Sequence, residues 1–268
     1  MQLFINLRTF SDYSIGKSVI KLPDLAKHCF DKIIPAIALT DYNNLFGSLE
    51  FSLECQKKGV QPIIGSVVTV NFGTKENENF ADILLLVKSR LGYENLMKLI
   101  SDCYLNNPHI PHILLDDLFD NSEGLLILCG SNNSPIEKLF YLGRKEEARQ
   151  LTDILLSKFK GNLYLELTRL DSKFNPEFDA FIKKLAIDKD IPIVATNPTH
   201  YISQTMQDAL DALICITQSR YLVEEERNKA CADGYFKSMR QMQELFSDIP
   251  EAINNTKLIA KRCTFLLK

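Results

Sequence analysis

The sequence predicts an α/β fold, a distorted (β/α)7, TIM-like barrel with a C-terminal helical extension. Two observations carry this: short apolar runs alternate with longer stretches of helical spacing, and past residue 203 the pattern becomes helical alone. The strand-like runs fall at residues 3–7, 36–39, 62–70, 83–87, 125–129, 163–167 and 192–195. Helical spacing fills 22–29, 45–57, 93–104, 135–142 with 146–159, and 176–188. Such alternation implies parallel βαβ units, and about seven strands favour a closed barrel over the alternative, an open doubly wound sheet.

The expected boundaries are a barrel over 1–202 and an extension over 203–268 that packs on it. Helices are expected at 205–217, 238–246 and 250–263, with Glu224, Glu225 and Glu226 on a solvated helix face. Asp248 followed by Pro250 has the chemistry of a helix cap and first turn. Residues 75–79 make a polar loop between two strands.

Composition narrows the class. With 268 residues, 46% hydrophobic and 24% charged, the chain can bury a sizeable core. A formal charge of −3 gives no bulk attraction to phosphate backbones or anionic membranes. Seven cysteines without a CxxC pair, mostly inside apolar runs, behave as small hydrophobes and suit a reducing, cytoplasmic setting. No apolar run approaches a membrane span, so no membrane partner is expected. Residues 263–268 end on an apolar run, which suggests a piece of a longer protein.

In a parallel barrel, chemistry gathers at the C-terminal strand ends. Those ends hold Asn6 to Ser14, Leu39 to Gly47, Pro62 to Val67, Cys129 to Ser131, Glu166 to Arg169 and Thr196 to Tyr201. His109 and His112 flank Pro111, but an extended Pro-rich loop with no adjoining Cys or carboxylate favours a structural role.

These stretches resemble, in order and spacing, the polymerase and histidinol phosphatase (PHP) domain that opens the alpha subunit of bacterial DNA polymerase III. The likeness runs from Phe4 to the end. It includes Ser11-Asp-Tyr-Ser14, Ala38-Leu-Thr-Asp41, Asn44-Leu-Phe-Gly-Ser-Leu-Glu-Phe51, Gln61-Pro-Ile-Ile-Gly65, Gly92-Tyr-Glu-Asn-Leu-Met-Lys-Leu99, Glu123-Gly-Leu-Leu-Ile-Leu128 and Val194-Ala-Thr-Asn197. Tyr235-Phe-Lys-Ser238 and Glu244-Leu-Phe-Ser-Asp248 extend it into the tail.

Hydrolytic members of that family bind metal ions at the barrel mouth through His, Asp, Glu and Cys. The resemblance puts Arg8 and Phe10 at the opening His-x-His, Lys17 at an acidic position and Tyr42 at the His after Asp41. Val67 stands at an acidic position, Ser131 at a Cys, Pro198 at the Asp before His200, and Asp82 near another His. Arg and Lys repel a metal, and Phe offers no donor.

The expectation is therefore a degenerate site with neither catalytic residue nor metal, Arg8 and Lys17 projecting into the mouth. Asp41 would pair with Arg8 or cap the next helix, Asp82 would pair with Arg8 or Lys17, and His200 would bond at a strand end. Phe10, Tyr13 and Tyr42 would fill the space of a polar pocket.

By resemblance the intact subunit would be a DNA-directed DNA polymerase, its magnesium held in a separate palm domain. This domain would take a structural or docking role, its partners a proofreading exonuclease subunit, the palm and thumb, and DNA in the holoenzyme. The alternative is an active metal-dependent 3′–5′ exonuclease or phosphoesterase.

Overall fold

A computed structural model describes residues 3–73, 78–107, 109–170 and 174–268. Its strands are β1 (Ala36–Leu39), β2 (Gln61–Asn71), β3 (Phe80–Val87), β4 (Ile113–Leu114), β5 (Leu125–Cys129), β6 (Leu163–Thr168) and β7 (Ile193–Thr196). They form one curled sheet in the order β1-β2-β3-β5-β6-β7, with β4 paired to β2. The helices are α1 (Leu22–Asp31), α2 (Ser48–Lys57), α3 (Arg90–Asn106), α4 (Leu115–Asp120), α5 (Pro135–Tyr141), α6 (Lys145–Lys158) and α7 (Pro176–Lys189). After a 3₁₀ turn at Gln204–Met206 come α8 (Gln207–Thr217), α9 (Met239–Leu245) and α10 (Pro250–Arg262). Local chemistry starts several of them: Ser89, Ser134 and Asn175 accept first-turn N–H groups of α3, α5 and α7, with proline opening the last two.

Residues 3–7 depart from the expected strand. They belong to no strand ladder, yet the segment they enter joins the two sheet edges. Asn6 and Thr9 carbonyls accept from Ala38 and Thr40 beside β1, while Phe10 N–H and Arg8 carbonyl bond to Thr199 beyond β7. Strand directions are also mixed, because β3 runs antiparallel to both β2 and β5. Only eight residues separate the end of β2 at Asn71 from the start of β3 at Phe80, too few for a crossover, so the chain must return antiparallel. The start of β3, with Asp82, therefore lies at the same end as the tip of β2. Of the polar loop expected at 75–79, residues 75–77 lie outside the described residues.

Two further expectations are corrected, and two short elements are added. Residues 221–230 are turns and extended chain, so Glu224 to Glu226 lie on no helix face. Asp248 caps nothing: Ile249 is the N-cap of α10, and Asp248 is drawn to Arg169 and Lys183 at 2.5 Å each. The short β4 and α4 follow the Pro-rich loop and have too few residues to show a period.

Side chains alternate across the strands. Ala36 and Ala38, Ile63 and Val67, Leu84 and Leu86, Leu126 and Leu128, Tyr164 and Val194 meet inside the curl, with Ile5 and Leu7. Their strand neighbours, such as Leu85, Ile127 and Leu165, face the helices. The last helix, α10, completes the interior: Ile259, Ala260 and Cys263 join the inner cluster, and Thr256 Oγ1 accepts from Ile5 N–H at 3.0 Å. Gln61, at the start of β2, donates to the Ala260 and Cys263 carbonyls, so α10 closes the end opposite the mouth. Ile259→Ala should cost about 3 kcal/mol, the usual loss for emptying a well-packed site, and thermal denaturation would show it as a lowered midpoint.

Candidate functional site at the barrel mouth

Arg8 and Glu166 form the centre of the mouth. Both are essentially fully buried, and the Arg8 Nε and Nη2 donate to the two Glu166 carboxylate oxygens at 2.8 Å each. This is the bidentate geometry a guanidinium makes with a carboxylate. Burial works against the Arg8 charge, but the charge and hydrogen bonds of Glu166 outweigh it and hold the pKa above the ordinary arginine value. Glu166 Oε1 also accepts from Thr196 Oγ1 at 2.6 Å and Asn132 Nδ2 at 3.2 Å.

The strand ends explain how these groups converge. Tyr164, Glu166 and Thr168 share one face of β6, apolar deep in the barrel and polar at its mouth. Gly130 follows β5 because the backbone of β6 passes close by: a Cβ there would lie 2.3 Å from the Glu166 carbonyl oxygen. Asn132 and Asn133 have φ of 58° and 66°, a left-handed conformation that Asn tolerates. That turn brings the Asn132 amide to Glu166 and the Asn133 amide to Asp82 Oδ2, at 3.0 Å.

A cavity of about 310 Å³ opens above the pair. Arg8, Tyr42, Asp82, Ser131, Pro198 and His200 line it, so the structure brings six of the sequence-derived positions together. Asn132, Asn133, Glu137 and Thr168 add polar lining. Phe10 lies beneath, sandwiched between the Tyr42 and His200 rings with centroids 4.7 Å away on each side. Lys17 Nζ sits 3.4 Å above the Tyr42 ring centroid. Loss of water around its ammonium lowers the Lys17 pKa, against a pull upward from Asp82, although much of the residue remains exposed. Burial pushes the Tyr42 hydroxyl up to about 12, partly opposed by Arg8.

Several expected pairings are replaced. Asp41 neither meets Arg8 nor caps α2. It accepts from Ser11 N–H at 2.7 Å, Ser11 Oγ at 2.6 Å and Ser14 Oγ at 2.5 Å. Asp82 makes no ion pair with Arg8 or Lys17; Thr69 Oγ1, opposite it across the β2–β3 ladder, and Asn133 bond its carboxylate. Val67 is fully buried in the inner cluster, below the cavity. Ser131 Oγ donates to the Glu166 carbonyl. His200 Nδ1 contacts the Lys17 carbonyl at 2.8 Å. Tyr13 lies outside the mouth and donates to Glu50 at 3.1 Å. His112 is buried against Phe80 and bonds the Ile110 carbonyl, while His109 is exposed. Among the described residues, no three His, Cys, Asp or Glu come close enough together to hold a metal ion.

The PHP domain profile matches residues 6–170. The chain belongs to the PHP family. Over 272 residues it is 34% identical to the DNA polymerase III subunit alpha of Caulobacter vibrioides, covering 99% of this chain and 24% of that one. To the Rickettsia felis subunit alpha it is 38% identical over 269 residues, covering 98% and 22%. This PHP chain thus spans about a quarter of the length of the curated relatives it matches. Two solved structures share the fold at low identity. One is an amidohydrolase from Chromobacterium violaceum with bound sulfate and no metal (TM-score 0.53, 12% identity, 73% of this chain and 87% of that). The other is a Bifidobacterium adolescentis protein described as a metal-dependent phosphoesterase (TM-score 0.53, 10%, 74% and 88%).

Glu166, like Asn132, Asn133, Glu137 and Thr168, is a residue of this PHP mouth that the sequence did not single out. Glu166 is the central one. Its signal was a lone acid in the otherwise apolar run Leu163-Tyr-Leu-Glu-Leu167, which a fully buried strand tolerates only beside a cation. Arg8, in a similarly apolar run, is that cation.

Proposed function

We propose that this chain is the N-terminal PHP domain of a replicative DNA polymerase III alpha subunit, with a degenerate metal site and a structural or docking role. The observation that carries the reading is the buried Arg8–Glu166 pair at the mouth, which sets a permanent cation against a carboxylate that could otherwise bind metal. The donors present do not suit a metal cluster. Phe10 has no lone pair, Val67 is apolar, and Asp41 already accepts three bonds from Ser11 and Ser14.

In this reading the domain needs no cofactor, and magnesium and nucleotidyl transfer belong to a palm domain elsewhere in the intact subunit. Its partners are that palm and thumb, DNA through the holoenzyme, and a proofreading exonuclease subunit. The setting is the cytoplasm; no helix of the described residues is long and apolar enough to cross a membrane.

The test pairs two assays on the purified chain: cleavage of a 3′-labelled single strand with added manganese or zinc, and gel-filtration co-elution with the exonuclease subunit. Co-elution without cleavage supports the reading. Cleavage lost in His200→Ala would favour the hydrolase instead.

A further inference from the structure

A second cavity, sharing no lining residue with the mouth, lies outside the segment that joins the sheet edges. It too measures about 310 Å³. Its walls combine Phe4 and Ile34 with Phe236 and Met239 from the chain entering α9. Phe4 points outward here because its neighbours Ile5 and Leu7 turn into the barrel. The size suits one large apolar side chain.

The ionisable residues that line this apolar pocket are of one class. Every ionisable lining residue is basic: His28, Lys32, Lys237 and Arg240. Lys237 is buried, with its ammonium on Asn197 Oδ1 and the Asp233 carbonyl, and adds a fixed charge behind the wall. Lys32 and Arg240 are exposed and come from different elements, the end of α1 and the first turn of α9. Two acids lie on the same helices as these bases: Asp31 pairs with Lys27, and Glu244 with Arg240 itself, in an exposed i,i+4 pair of the kind worth little that a competing carboxylate can replace. His28 packs its ring on Phe236 at 4.8 Å, firming the wall.

We infer that this pocket docks a segment of another polypeptide in which a large apolar side chain is flanked by carboxylates. An apolar anchor in a pocket with opposite charge around it is the usual build of a peptide-binding hot spot, with the rim charges setting specificity and on-rate. The inference rests on the proposed docking role of the domain and gives it a surface and a partner chemistry. A cleavage-competent mouth would defeat the docking role without bearing on binding at this pocket, so the two can fail separately.

Fluorescence anisotropy tests it, using a labelled peptide with Leu-Phe between two Glu-Asp-Glu flanks. Binding to the whole 268-residue chain is expected, weakening at higher salt. It should weaken about five-fold or more in the double variant Lys32→Glu, Arg240→Glu, whose exposed positions leave the fold intact. A peptide with Ser-Ser in place of Leu-Phe should lose binding, as should one with Lys-Arg-Lys flanks. Equal binding of the basic peptide, or full binding by the double variant, would overturn the inference. So would a single-stranded oligonucleotide that binds in a Lys32- and Arg240-dependent way when the acidic peptide does not, since the rim would then serve phosphates.

Discussion

Arg8→Ala is expected to destabilise the chain by about 3–5 kcal/mol, the range for removing one partner of a buried ion pair and leaving the other charge uncompensated. For a domain of this size that corresponds to a fall in melting midpoint of roughly 6–20 °C. Glu166 would keep Thr196 and Asn132, but two neutral donors do not replace a bidentate guanidinium. The control is the double variant Arg8→Met, Glu166→Leu, which removes both charges and keeps the volume. Its loss should be far smaller than the sum of the two single losses, because the pair is coupled. Additive losses in thermal and urea denaturation would mean that the two residues contribute independently.

Asp41→Ala should cost nearly as much, about 2–4 kcal/mol, since one buried N–H and two buried hydroxyls lose their acceptor. Asp41→Asn should be milder: the amide oxygen can still take the Ser11 N–H, and the hydroxyls can rotate to accept from the amide. The pH dependence separates the two effects. Burial raises the Asp41 pKa above the ordinary aspartate value, against the pull of the Ser11 and Ser14 bonds. A carboxyl whose folded pKa is raised binds its proton more tightly when folded, so its contribution is fully present below the unfolded pKa and is lost as pH rises through the folded one. The native chain should therefore lose stability relative to Asp41→Asn as pH rises above about 4 through that raised value. A stability difference between the two that stays flat across this window would contradict the burial of the charge.

The barrel was legible because its strands alternate a buried inner and a buried outer face, which shows as short, almost uninterrupted apolar runs. The direction of β3 was not, although the shortness of the connection between residues 71 and 80 carried it. The segment from Phe4 to Phe10 has the composition of a strand, but it bonds β1 through one stretch and Thr199 through another, so no ladder forms. At the mouth, Arg8, Tyr42, Asp82, Ser131, Pro198 and His200 were placed by resemblance and do line one cavity. Their partners followed a different logic. Asp41 took the hydroxyls of Ser11 and Ser14, 30 and 27 residues back along the chain, and Arg8 took Glu166 from 158 residues away. Which cation meets which carboxylate depends on strand register across the barrel, a property that spacing along the chain does not encode.

The central claim, a mouth occupied by an internal ion pair in place of a metal cluster, is tested most directly by metal content. Elemental analysis of the purified chain, before and after dialysis against manganese and zinc, is expected to find metal well below one equivalent. Stoichiometric metal that falls away in both Asp41→Asn and His200→Ala would contradict it and restore a metal-dependent hydrolase.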